Sequence, residues 1–145
     1  MMILLGVSVG HGQDRTKNFN LDDSGVGIGG YDPVSYFTDH KPAEGSKAFT
    51  LSNDGVVYYF KSAGNRDTFR ADPSKYEPAY GGWCAFAMGD SGEKVEVDPG
   101  TFKIVNGKLY LFYNKFFTNT LNSWNKNEAD LKIKADRNWH RILDN

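Results

Sequence analysis

Cysteine is almost missing from this chain, which has one among 145 residues. A single thiol excludes an internal disulfide framework and every zinc finger that needs several cysteines. Histidine and methionine are also scarce, with three of each. No run of 18 or more apolar residues occurs, so the sequence predicts no membrane-spanning segment.

Net charge is also small, because 17 basic residues face 18 acidic ones and leave −1. Proteins that bind nucleic acids usually carry a basic face or tail, so we expect no nucleic-acid partner. Aromatic residues, in contrast, are abundant and make up 14% of the chain. Its length predicts one domain that is large enough to bury its own core.

The first ten residues are apolar and end in small residues, as the end of a secretory signal peptide does, although a basic start is missing. The alternative is an edge strand that packs on the domain. Residues 11–25 are polar and are typical of a linker or a loosely attached arm. We therefore predict a leader remnant or linker over 1–26, a domain over 27–145, and a secreted or periplasmic location.

Two hairpin patterns dominate the domain. Asn53-Asp54-Gly55 lies between a strand pattern and the β-branched and aromatic residues 56–60, and Asn106-Gly107 lies between residues 101–105 and 108–112. Such dipeptides supply the positive φ that tight hairpin turns need. Strands mix with short helices without a βαβ rhythm. The sequence therefore predicts an α+β domain, with a small antiparallel sheet and short helices packed on one face.

Helix signals are local. Ser62 is a good N-cap, and Asp72-Pro73 predicts a capped turn in which the Asp72 side chain accepts a backbone N–H and Tyr76 is buried. Two C-terminal helices are predicted over 115–124 and 128–139. Residues 83–88 are apolar throughout, and alanine and methionine favour a helix there.

Cys84 is the most informative single residue. A lone cysteine in an apolar run is commonly a small core residue. If residues 83–88 are helical, however, Cys84 and Met88 are four residues apart and share a face. A thiol and a thioether are soft ligands that suit Cu(I), and His40 is a candidate third ligand. The sequence thus gives Cys84, Met88 and His40 as candidate metal ligands, with copper as the candidate ion.

The chain resembles the YHS domain family over about residues 29–140. The matching residues are Gly30-Tyr-Asp-Pro-Val-Ser-Tyr-Phe37, Gly45-Ser46, Tyr58-Tyr-Phe60-x-Ser62, Asn65-Arg66, Phe69, Asp72-Pro-x-Lys-Tyr76, Pro78-x-Tyr80-Gly-Gly-x-Cys84-Ala85, Asp98-Pro99, Lys103-Ile-Val-x-Gly-Lys-Leu-Tyr110 and Ala135-Asp-x-Asn-Trp139. The chain looks most like the stand-alone, exported members. The resemblance implies a single YHS-like domain.

The wider family includes domains of heavy-metal transporting ATPases and of multicomponent monooxygenases. Its metal-associated members carry cysteines at three positions that are Ser35, Lys61 and Asn65 here. A thiolate cage of that type cannot form in this chain, so a metal site would have to lie elsewhere.

Two functions follow as hypotheses. The first is an exported protein that binds or handles a soft metal, namely copper. The second is a non-catalytic binding module for a partner protein or a small ligand. A thiol enzyme ranks last, because the sequence offers no catalytic constellation. Exposure of Cys84 separates the first two: full burial favours the binding module.

Overall fold

A computed structural model describes residues 14–145. Its elements in chain order are α1 (Ser35–Thr38), β1 (Ser46–Asn53), β2 (Val56–Phe60), α2 (Ala63–Ala71), α3 (Pro73–Tyr76), α4 (Ala85–Asp90), β3 (Asp98–Val105), β4 (Lys108–Phe112), β5 (Asn114–Lys115), β6 (Thr118–Asn119), α5 (Thr120–Lys126) and α6 (Glu128–Leu143). The predicted leader over residues 1–10 lies outside the described residues. Among the helices of residues 14–145, none combines the length and apolar character that crossing a bilayer requires.

Both predicted hairpins are confirmed. Asp54 and Gly55 have φ of 51° and 90°, and Asn106 and Gly107 have φ of 52° and 77°. The β1–β2 turn closes on the pair Asn53 and Val56, and the β3–β4 turn closes on Val105 and Lys108. Positive φ at both central residues matches the right-handed twist of the flanking strands, so these short dipeptides set the register of each hairpin.

The α+β class is confirmed, but the strands pair differently from the single sheet we predicted. In the described part of the chain they form three two-stranded antiparallel sheets, β1–β2, β3–β4 and β5–β6. Strand β4 explains the difference, because it separates two cores. Leu109 and Leu111 belong to one core, while Tyr110 and Phe112 belong to the other.

The first core joins β2, α2 and one face of β4, and the second joins α4, α5, α6 and the other face of β4. Buried members of the first are Ile28, Val34, Tyr36, Val56, Tyr58, Phe60, Phe69, Tyr76, Leu109 and Leu111. Buried members of the second are Ala79, Tyr80, Ala85, Met88, Tyr110, Phe112, Trp124, Leu131 and Ala135. The high aromatic content is thereby used in both cores, where ring pairs such as Phe112 and Trp124 lie 5.6 Å apart between centroids.

Residues 14–26 pack on the domain, whereas the sequence placed the domain boundary at 27. The Arg15 guanidinium is paired with Glu77, the Phe19 ring lies 5.9 Å from the Trp139 ring, and Val26 is 2% exposed. The Asn20 N–H also donates to the Gly81 carbonyl at 2.9 Å. Widely spaced anchors of this kind leave no periodic pattern in a polar segment, which is why sequence analysis assigned it to a linker.

Local helix predictions had mixed outcomes. The Ser62 hydroxyl accepts the Asn65 N–H at 3.1 Å at the start of α2, and Tyr76 is 7% exposed, as predicted. Asp72 lies at the cap position of α3, but its side chain accepts no backbone N–H there, so that prediction is wrong. Its carboxylate instead faces the Ser74 hydroxyl at 3.4 Å.

Residues 115–119 were predicted to be helical and instead form the hairpin β5–β6.

The β5–β6 turn carries the two most exposed large apolar side chains of the described residues. Phe116 is 85% exposed and Phe117 is 109% exposed. Both have positive φ, 52° and 65°, a conformation that costs residues with a Cβ roughly 1–2 kcal/mol. Neither asparagine nor glycine occurs at these positions, so no residue pattern indicates a hairpin here.

Candidate functional site

The three predicted metal ligands lie in different surroundings. Cys84 and Met88 are both 0% exposed, and His40 is exposed in the loop between α1 and β1. Cys84 is the N-cap of α4 with ψ of 120°, so it is not part of the helix. The Met88 N–H still donates to the Cys84 carbonyl at 3.0 Å, so the two residues lie one helical turn apart, but both are buried in the interior. The structure does not gather the three residues into an open site.

The Cys84 thiol is part of a hydrogen-bonded junction. Its sulfur accepts the Tyr113 N–H at 3.3 Å and lies 3.4 Å from the Thr120 hydroxyl oxygen. The Thr120 hydroxyl already donates to the Tyr113 carbonyl at 2.7 Å, so the thiol is the donor in the contact with Thr120. These bonds tie the start of α4 to the end of β4 and the start of α5.

We expect the Cys84 thiol to be inert in the folded protein, because it is fully buried and hydrogen-bonded. Its reaction with a small aromatic disulfide reagent should be at least about 100-fold slower than in the urea-unfolded protein. Fast stoichiometric labelling of the folded protein would contradict the placement. Copper binding at this residue stays a prediction, and it is tested by competition against a Cu(I) chelator with Cys84→Ser as the control.

Ser35, Lys61 and Asn65, which the resemblance aligns with cysteines of metal-associated YHS members, meet around one buried carboxylate. Asp32 is 0% exposed, and its Oδ1 accepts the N–H groups of Val34 and Ser35 at 2.8 and 3.3 Å. Its Oδ2 accepts the Lys61 N–H and the Asn65 Nδ2, both at 2.8 Å. Four N–H donors thus surround this carboxylate, which links α1 to the start of α2.

A cleft of about 510 Å³ opens between β4, α6 and the chain after α3. Aromatic rings and a few charged groups share its walls. The lining residues are Phe19, Ser74, Glu77, Pro78, Ala79, Tyr80, Gly81, Val105, Asn106, Lys108, Tyr110, Lys132, Asp136 and Trp139. This volume lies within the roughly 300–1,000 Å³ of small-molecule sites.

Backbone strain is concentrated on one side of the cleft. The 3₁₀ turn Ala79–Gly82 holds Tyr80, Gly81 and Gly82 at φ of 58°, 62° and 89°. Tyr80 keeps this conformation because its ring is buried and its hydroxyl donates to Asp136 Oδ1 at 2.8 Å. A Cβ at Gly81 would lie 2.8 Å from the Trp139 ring, so glycine is needed for the close approach of α6.

Charged groups of the cleft are largely paired with protein groups. The Lys132 ammonium lies 3.0 Å from Asp136, and Glu77 accepts two hydrogen bonds from Arg15. Lys108 differs, because within residues 14–145 its Nζ has a single hydrogen-bond partner, the Ser74 carbonyl at 3.5 Å. A hydrogen bond of that length is weak.

Burial shifts the titration of several of these groups. It raises the pKa of Tyr80, and the hydrogen bond to Asp136 raises it further. Burial also raises the pKa of Tyr110, so both phenols stay neutral donors at ordinary pH. The hydrogen bond from Lys132 to Asp136 raises the pKa of Lys132. Burial lowers the pKa of Lys108, and the nearby Glu77 carboxylate only partly opposes that shift.

Sequence reasoning did not find this cleft, because its walls come from segments far apart in the chain. Phe19 lies in the assumed linker, and Lys108 and Trp139 carry no motif of a binding site. One signal was present: three strings that carry the YHS resemblance, at residues 78–85, 103–110 and 135–139, each contribute lining residues.

Comparisons of the chain with family models, with curated proteins and with solved structures find no match. Membership of the YHS family therefore stays a prediction.

Proposed function

We propose that the chain is a non-catalytic binding module whose cleft holds a small organic molecule with a flat apolar body. The cleft itself is the observation that carries this proposal, because it has the size of a small-molecule site and aromatic walls. Trp139 and Phe19 form one wall, with ring centroids 5.9 Å apart. Tyr80 and Tyr110, with ring centroids 5.8 Å apart, also line the cleft but are only 4% and 3% exposed, so the stacking surface is mainly that of Trp139 and Phe19. Such rings bind flat apolar groups by stacking and by burial of area.

The two carboxylates in the cleft are already hydrogen-bonded to protein donors, which favours a binding site over a catalytic site. Asp136 accepts from both Tyr80 and Lys132, and Glu77 accepts from Arg15 and from the Tyr58 hydroxyl. A general base needs a carboxylate that is able to take a proton from a substrate. Both acids here are instead held by protein donors, which suits a site that holds its ligand unchanged. The complete burial of Cys84 also favours this alternative over the soft-metal site.

The test uses 2-naphthamide, a flat neutral probe, in a titration followed by amide chemical shifts. We expect saturable shifts at Gly81, Lys108 and Tyr110, and none at His40. Trp139→Leu removes one aromatic wall and should weaken binding by about tenfold, as expected for the loss of a stacked ring.

Phe117→Leu is the matched control, because Phe117 is an exposed aromatic residue outside the cleft. It should leave the affinity for 2-naphthamide unchanged. The proposal fails if the shifts of the cleft residues do not saturate, or if Trp139→Leu and Phe117→Leu bind the probe as tightly as the wild type.

A further inference from the structure

Lys108 is a cation in the cleft that is not neutralised by a contacting carboxylate. It begins β4, and its side chain lines the cleft with that of Tyr110, two residues further along the strand. Among residues 14–145, no carboxylate lies within 4.0 Å of its ammonium group. An ammonium has three donors, and the long contact with Ser74 uses one of them poorly. Partial burial makes this costly, since it removes water that would otherwise solvate the charge.

The charged side chains that line the cleft are Glu77, Asp136, Lys108 and Lys132, which balance one another. Arg15 pairs with Glu77 from outside the cleft, so the whole group carries one excess positive charge. Asp136 is neutralised by Lys132, both of which line the cleft. Glu77 is neutralised by Arg15, which approaches it at 2.7 Å from the N-terminal segment. Lys108 is the remaining charge. A ligand with a single negative charge would complete the balance.

Two further donors of the cleft are unused by the described part of the chain. Tyr110 and Trp139 line the cleft, and the Tyr110 hydroxyl and the Trp139 indole N–H donate to no residue of 14–145, whereas the Tyr80 hydroxyl does donate. Burial keeps the Tyr110 phenol protonated. Asn106 also lines the cleft, and its side-chain amide, which has one acceptor and one donor group, is unpaired within residues 14–145. Donors therefore outnumber acceptors among the spare groups of the cleft, which favours an acceptor-rich group on the ligand.

We infer that the cleft binds an aromatic carboxylate, with the ligand's carboxylate on the Lys108 ammonium and its ring against the aromatic walls. This inference rests on the proposed function, because it names the chemical class of the molecule held there. A charge-assisted hydrogen bond in a partly desolvated cleft is stronger than a neutral one, and it gives the site its selectivity. A monoanion fits better than a phosphate dianion, because Glu77 and Asp136 line the same cleft.

The experiment compares 2-naphthoate with 2-naphthamide, which has nearly the same shape but no charge. Both are titrated at low ionic strength into the wild type, Lys108→Gln and Lys134→Gln. The wild type should bind 2-naphthoate about tenfold more tightly than 2-naphthamide. Lys108→Gln should abolish that preference, so that the ratio of the two affinities falls to about one. Lys134→Gln removes a lysine of α6 that does not line the cleft, so it should keep the preference.

Tyr110→Phe removes only the hydroxyl and should weaken 2-naphthoate binding by about threefold. Lys108→Met is a second charge-removing variant, and a thermal melt of each variant shows that it is folded. Equal binding of the two probes by the wild type overturns the inference while leaving the proposed function in place. The inference is also overturned if Lys108→Gln keeps the preference for 2-naphthoate over 2-naphthamide. The same holds if Lys134→Gln loses that preference to the same extent as Lys108→Gln. Failure of both probes to bind is instead the failure of the proposed function.

Discussion

Asp32→Asn should lower the free energy of unfolding by about 2–4 kcal/mol, although it changes neither the size nor the shape of the side chain. Asp32 is 0% exposed, and each of its two oxygens accepts two N–H donors. An amide has only one acceptor oxygen, so its NH₂ group must face one of the two donor pairs. Both donors of that pair then lose their partner in the interior. Urea denaturation followed by tryptophan fluorescence measures the change.

Asp72→Asn is the matched control, because Asp72 is exposed and its side chain caps no backbone N–H of α3. It should leave the urea midpoint unchanged within error. An Asp32→Asn midpoint that is equally unchanged would contradict the account of a carboxylate held by four donors. Because Asp32 gathers Ser35, Lys61 and Asn65, the result also tests whether this carboxylate organises the positions at which the resemblance places cysteines in other YHS members.

The elements that sequence predicts well here are those fixed by neighbouring residues. Asn106-Gly107 sets a turn by its own backbone preferences, so β4 was predicted with its observed bounds. Ser62 caps α2 through a bond that spans three residues. Phe116 and Phe117 form a turn against local preference, and the helix predicted there is absent. Local signals therefore give both Asn/Gly hairpins and the Ser62 cap, but they give neither the absent Asp72 cap nor the turn at Phe116 and Phe117.

The candidate site escapes sequence reasoning for the opposite reason. The two cleft lysines differ in their partners. Asp136 contacts Lys132, whereas no carboxylate of residues 14–145 contacts Lys108. Such pairing depends on which distant segments meet, and that is known only from the fold. Cys84 shows the same limit, since its burial and its bond with Thr120 are invisible in a lone cysteine. Sequence alone ranked it first because thiols are rare, not because it is accessible.

Glu77 joins the N-terminal segment, the first hairpin and the cleft through one carboxylate. Its two oxygens accept from Arg15 at 3.1 and 2.7 Å, and one also accepts the Tyr58 hydroxyl at 2.7 Å. Arg15 in turn donates to the carbonyls of Asn53 and Asp54 in the β1–β2 turn. The Glu77 and Arg15 side chains are only 11% and 21% exposed. Salt therefore screens this pair less than a surface pair.

Glu77→Leu should lower the free energy of unfolding by about 2–4 kcal/mol, because it strands the Arg15 charge and the Tyr58 hydroxyl away from water. The triple variant Arg15→Met, Tyr58→Phe, Glu77→Leu should recover most of that loss, since it removes the stranded groups together with their partner. Urea denaturation of both variants and of the double variant Arg15→Met, Tyr58→Phe closes the cycle and gives the coupling between Glu77 and its two partners. A coupling near zero, or a triple variant less stable than Glu77→Leu, would mean that the segment at 14–26 is held by its apolar contacts. The observed geometry favours the ion pair, because Arg15 makes its bonds to Glu77 and to the β1–β2 turn at the same time.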